Sequence, residues 1–172
     1  AINSECLYLK TVSVIFEIIM PLSTIDLIIL SSAKIHPSNE ELHQLNLLIQ
    51  NVTDWDETVN RLINRAAGPL LYRKLTLLPA SKQIPENAKE KLRQSYFLTM
   101  TRGMLLYNAF GKVTEMLHEA GIKAVALKGI HLAEWLYEDI GLRQMSDIDL
   151  LVRNEDGRKS IAVLENNGFK SN

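Results

Sequence analysis

The sequence predicts an α+β fold, with a mostly helical region over residues 1–120 followed by a short β-α-β-α segment over residues 121–172. Three observations carry that expectation. Apolar residues recur at helical spacing in successive segments as far as Glu119. Gly121-Ile122-Lys123-Ala124-Val125-Ala126-Leu127 then reads as a short buried strand running into Lys128-Gly129, after which residues 130–137 turn helical. Finally, Asp147-Ile148-Asp149-Leu150-Leu151-Val152 sets two carboxylates one residue apart. On a strand that spacing puts both acids on one side and Ile148, Leu150 and Val152 on the other.

The helical region divides as follows. Val12, Val14, Phe16 and Ile18 alternate and permit a strand, but Ile15, Ile18, Ile19 and Leu22 share a helical face, and a helix is expected. Ser23 is placed to cap Thr24–Ala33, which stops before His36-Pro37 because the residue preceding proline disfavours the α region. Ser38 or Asn39 starts the next helix, with Leu42, Leu45, Leu48 and Ile49 on one stripe and an end near Asn51. Thr53 or Asp54 caps a third, where Trp55, Val59, Leu62, Ile63 and Ala66 recur until Gly68-Pro69 ends it. Residues 70–77 read as a short helix and 78–84 as a loop. Pro85 opens a long helix to Glu119, with Leu92, Tyr96, Met100, Met104, Tyr107, Phe110 and Leu117 as its apolar face and Gly121 closing it.

Composition narrows the function classes. At 172 residues, 47% apolar and 23% charged, the chain has soluble-globular usage and length for one domain or a little more. A net charge of -1 gives no whole-chain attraction to phosphate backbones, which argues against strong generic nucleic-acid binding. The lone Cys6 excludes an intramolecular disulfide, and with four His it argues against structural zinc. A reducing cytoplasm is the expected location. The apolar run over 12–30 is interrupted by Glu17, Pro21 and Asp26, and a charged residue at a bilayer centre costs about 2.5 to 3.5 kcal/mol, so no membrane span is expected.

Two acids on one strand face suit a magnesium ion, which is commonly held by one or two carboxylates with substrate phosphates and water. The order strand, Lys-Gly, helix, Asp-x-Asp strand resembles the active-site half of the nucleotidyltransferase superfamily that includes DNA polymerase beta. It is more closely similar to a family of mostly uncharacterised bacterial nucleotidyltransferases. The matching residues are Leu127-Lys128-Gly129, Tyr137, Gly141-Leu142-Arg143, Asp147-Ile148-Asp149-Leu150-Leu151-Val152 and Leu164-Glu165-Asn166-Asn167-Gly168-Phe169. The resemblance is specific over 121–169 and weaker upstream, through Asp54-Trp55 and Gly68-Pro69-Leu70-Leu71-Tyr72.

The resemblance implies the first β-α-β-α part of a nucleotidyltransferase palm, apparently truncated. The implied activity is transfer of a nucleoside monophosphate from an NTP to a protein, small-molecule or RNA acceptor, with Mg2+ (or Mn2+) as cofactor. Asp147 and Asp149 would be the catalytic metal ligands. Because the wider superfamily takes a third carboxylate from a later strand, the parent protein is expected to be the enzyme and these residues alone inactive. The alternative is a non-catalytic module that binds nucleotide or a regulatory partner.

Gly129 and the backbone N–H groups of Ile130 and His131 are placed to cradle phosphates at a helix start, with Lys128 adding a point charge. The bland reading of Lys128 is an exposed strand-end lysine. Arg143 forks onto a phosphate or orients the acids, or else forms a surface ion pair with Glu138 or Asp139. His131 lacks a paired acid and is left out of catalysis. Trp135 and Tyr137 could stack a nucleobase, but aromatics at helical spacing are more often core, and Trp55, Met100 and Met104 read as core by the same argument.

Overall fold

A computed structural model describes residues 22–170; the apolar run at 12–20 lies outside them. Helix α1, Thr24–Ala33, and helix α2, Asn39–Gln50, both begin with a reciprocal capping box, Ser23 with Asp26 and Ser38 with Glu41. The Ser23 hydroxyl, and beyond it Arg61, hold the Asp26 carboxyl below its ordinary range. Helix α3, Trp55–Asn64, is capped by Asp54, whose Oδ1 accepts from Glu57 N at 2.8 Å.

The end of α3 departs from expectation. It stops at Asn64, Ala66 turns left-handed at φ 57°, and Gly68-Pro69 opens the next helix instead of ending this one. Proline suits the first turn because its missing N–H would have no intrahelical partner there. Gly68 is needed for packing: a Cβ on it would lie 2.7 Å from Ser95 Oγ. Helix α4, Gly68–Lys74, continues into a 3-10 turn, Leu75–Leu77, and the expected loop contains another, Pro79–Gln83.

Helix α5, Glu86–Glu119, has 34 residues and is about 51 Å long at 1.5 Å per residue. It is the shared spine. Its first half contributes Ala88 and Leu92 to a core with Ile28, Leu45, Ile49, Val59, Leu62 and Leu71. Its last turns contribute Val113 and Leu117 to a second cluster with Ile122. Most of the expected apolar face is buried or half-buried, but Met104 is 53% exposed. The inward position at this level belongs to buried Gly103, where a Cβ would meet the Ile140 carbonyl oxygen at 3.2 Å. Gly121, at φ 73°, ends the helix with bonds from Gly121 N to His118 O and from Ile122 N to Leu117 O.

Strands β1, Ala124–Leu127, and β2, Asp149–Val152, pair antiparallel, Val125 opposite Leu151 and Leu127 opposite Asp149. Between them lies helix α6, Lys128–Trp135; after β2 come a 3-10 turn, Asn154–Asp156, and helix α7, Gly157–Asn166. Ala124, Leu150 and Val152 pack on the Val113 cluster, and Ala126 and Ile148 on Ile130, Ala133 and Met145. Directly opposed residues share a sheet face, so Val125, Leu127, Asp149 and Leu151 lie together on the other one. Val125 is 58% exposed. The strand expected to be buried is thus covered on one face only, because helices pack on one side of the sheet. Among the described residues no helix is long and apolar enough to cross a membrane.

Lys74 is buried, its Nζ donating to the Ser32 carbonyl at 2.7 Å, and burial pushes its pKa down from 10.5 to about 8. Between those two values the unfolded chain binds the extra proton, so stability rises with pH. The expected result is that the native protein gains on Lys74→Met by on the order of 2 kcal/mol from pH 8 to 10.5. Urea unfolding of both proteins across this range checks it; a constant difference contradicts it.

Candidate active site

The candidate residues meet where β1 ends and α6 begins. Leu127 is opposite Asp149, and the backbone then turns left-handed at Lys128, φ 48°, into the first turn of α6. That turn brings the Lys128 ammonium to 3.3 Å from Asp149 Oδ2, with side-chain exposures of 72% and 33%. Lys128 is therefore exposed, as its bland reading has it, but it is not idle.

Asp147 is not on the strand. β2 starts at Asp149, and Asp147 lies in the irregular segment before it, exposed, with Ser146 Oγ 3.4 Å from its Oδ1. The reason is the partner: β1 stops opposite Asp149, and the turn into α6 leaves no backbone to pair with Asp147. The expectation that Ile148, Leu150 and Val152 pack inward holds.

Gly129 has a structural role that its spacing did not reveal. A Cβ there would come within 3.1 Å of Met145 Cγ and 3.2 Å of its sulfur. The close approach allowed by the glycine is to the loop that carries the acids: Met145, buried against Ile130 and Ala133, fixes the chain two residues before Asp147. Helix α6 begins at Lys128 itself, so Gly129, Ile130 and His131 all fall in its first turn, and the N–H groups of Gly129 and Ile130 have no intrahelical acceptor there.

Arg143 pairs with neither acid proposed for it in a surface ion pair. Asp139 is taken by Tyr96, whose hydroxyl donates at 3.0 Å, by Gly141 N at 2.8 Å, and by Arg73 at 3.9 Å. The Arg143 guanidinium lies 5.9 Å from the centroid of the Tyr137 ring, and its buried Nε has no hydrogen-bond partner. Tyr137 is half-buried, but Trp135 is 73% exposed and stacks on His131, rings 6.1 Å apart, so it is not core. Helix α6 is only eight residues long, and Trp135 falls at its last turn, past the face that Ile130 and Ala133 bury.

The brace behind the site was missed in the sequence. Tyr96 and Asp139 tie the loop after α6 to α5, and Tyr107 ties α6 itself, donating to the Ile130 carbonyl at 3.0 Å. Burial raises the pKa of both phenols, and for Tyr96 the neighbouring Asp139 adds to it. A signal existed: Tyr96, Gly103 and Tyr107 lie near one another along α5. Their partners, however, are 23 to 43 residues away.

Asp149 lies on the exposed sheet face and Asp147 is exposed just before the strand; carboxylate oxygens are hard donors of the kind that suits a magnesium ion keeping positions for phosphate and water. Among the described residues no group of three or more His, Cys, Asp or Glu side chains gathers. No curated protein and no solved structure matches the chain. A family described as uncharacterised nucleotidyltransferase does match, over residues 51–172. That span is well over half of the chain and contains β1, Lys128-Gly129, α6, Arg143 and both acids, and the chain belongs to this uncharacterised nucleotidyltransferase family.

Proposed function

We propose that the protein transfers a nucleoside monophosphate from an NTP to an acceptor hydroxyl, with Mg2+, replaceable by Mn2+, held by Asp147 and Asp149. The observation that supports this most is the position of Asp149: on the open sheet face, at the strand end, beside Lys128 and the start of α6. The acceptor oxygen attacks the α-phosphorus and its hydroxyl proton passes to solvent, the bond to the bridging oxygen of the β-phosphate breaks, and pyrophosphate leaves. The ion, when bound, neutralises charge on the phosphates and the leaving group.

The chain's own residues supply position and charge. Gly129 and the first N–H groups of α6 receive phosphate oxygens at the positive helix end, and Lys128 adds an ammonium. Arg143, its guanidinium 5.9 Å from the centroid of the Tyr137 ring, is assigned as a further cation for phosphate. The acceptor is a protein, a small molecule or an RNA end, selected by the helical region, and the reaction belongs to the cytoplasm. Two carboxylates begin a magnesium site, and substrate phosphates and water complete it.

The test is to incubate the full-length protein in cell lysate with Mg2+ and each α-labelled NTP. Label transferred to a discrete acceptor, and lost on chelation, is expected. Nucleotide bound but never transferred would overturn the enzymatic reading and favour a non-catalytic nucleotide-binding module.

A further inference from the structure

Lys128 is placed where it cannot serve both of its neighbours at once. Its ammonium lies 3.3 Å from Asp149 Oδ2, one of the oxygens assigned above to the metal, while the first turn of α6 beside it is assigned to phosphate. We propose that Lys128 is a displaceable counter-cation: it neutralises Asp149 while the metal position is free, and a divalent ion releases it to the nucleotide. This rests on the reading of Asp147 and Asp149 as metal ligands.

Three features support the exchange. The pair is exposed, and exposed ion pairs shift an equilibrium by less than about tenfold, so a divalent ion with twice the charge displaces the ammonium readily. Asp147, two residues away, pairs with no cation among the described residues, so the metal has a second carboxylate that Lys128 does not contest. The lysine also stands at a fixed junction. Its Cα is held in the left-handed region between the last residue of β1 and the first turn of α6. The exchange then needs only the side chain to move, between Asp149 and a phosphate at the helix start. Metal and phosphate sites are then coupled in both directions, since linkage is reciprocal.

The consequence is a pair of effects opposite in sign. A lysine that only binds phosphate gives weaker nucleotide binding on removal and nothing else. A displaceable lysine gives, in addition, tighter binding of the bare ion. The experiment measures Mn2+ alone by electron paramagnetic resonance, and Mn2+ with a non-hydrolysable NTP analogue by calorimetry. It is run on the full-length protein, Lys128→Met, and Lys123→Met as a control that removes an equal charge at the other end of β1. For Lys128→Met, Mn2+ alone is expected to bind about three- to tenfold more tightly. The metal-nucleotide complex is expected to bind about 10- to 100-fold more weakly. Lys123→Met should do neither.

Unchanged or weaker Mn2+ binding in Lys128→Met, or an equal gain in Lys123→Met, overturns the exchange and leaves the metal site standing. Tighter Mn2+ with unchanged nucleotide affinity overturns it too, because the released lysine then has no phosphate to go to. Absence of Mn2+ binding in every protein, with or without nucleotide, overturns both the exchange and the metal reading beneath it. Lys128→Gly, which suits the left-handed backbone, gives the same measurements should Met disturb the turn.

Discussion

Asp149→Asn is expected to lower label transfer by at least about 10³-fold, on the order of 4 kcal/mol of transition-state stabilisation, with little change in folding. The side chain is one-third exposed and its partner is an exposed lysine, so its structural contribution is at most about 1 kcal/mol. Asparagine keeps the shape and one oxygen but loses the charge that a metal and a phosphate-rich substrate require. Rates measured with the labelled NTP that works best, alongside thermal unfolding, separate the two effects. Near-normal transfer by a folded Asp149→Asn protein would remove Asp149 from the chemistry. Asp147 would then carry it alone, from outside the strand.

The largest effect on stability is expected at Gly141. An added Cβ would lie 2.5 and 2.7 Å from two ring carbons of Tyr96 and 3.1 Å from Asp139 Oδ1. The tyrosine must move, and in moving it loses the hydrogen bond to Asp139 that holds the loop after α6. Overpacking costs about 1 to 3 kcal/mol and a hydrogen bond to a charged group about 1.5 to 3, so Gly141→Ala should destabilise by about 3 kcal/mol. For a chain of this size that is a fall in Tm of roughly 6 to 12 °C. Tyr96→Phe separates the contributions: it removes the hydroxyl without the clash and should cost only the hydrogen-bond part. Gly141→Ala no worse than Tyr96→Phe would show that the ring shifts freely.

What could be read from the sequence was local. Ser23 with Asp26 and Ser38 with Glu41 stand three residues apart, and both helices begin there with the reciprocal bonds that spacing allows. The order of β1, Lys128-Gly129, α6 and β2 was legible for the same reason. Asp147 was misplaced because strand membership depends on the partner, and nothing within Asp147-Ile148-Asp149 says that β1 ends opposite Asp149. Gly68-Pro69 was read as the end of α3, but the same pair can open a helix; the left-handed turn at Ala66 ends α3 first, and Gly68-Pro69 opens α4. Gly103 and Gly141 were unreadable as packing glycines, because Ile140 and Tyr96 come from distant parts of the chain.

Helix α5 is also a lever. With about 51 Å between its ends, a bend of roughly 5° near the middle swings either end by about 2 Å, more than the margin between a bound and a broken metal contact. Gly103 sits close to that midpoint, and the Ile140 backbone rests on it within a loop that leads to Arg143 and Asp147. The fulcrum of the rod is thus a bearing surface for the loop. A bend there tilts the end of α5 that packs on the N-terminal helices against the end that packs on β1 and α7.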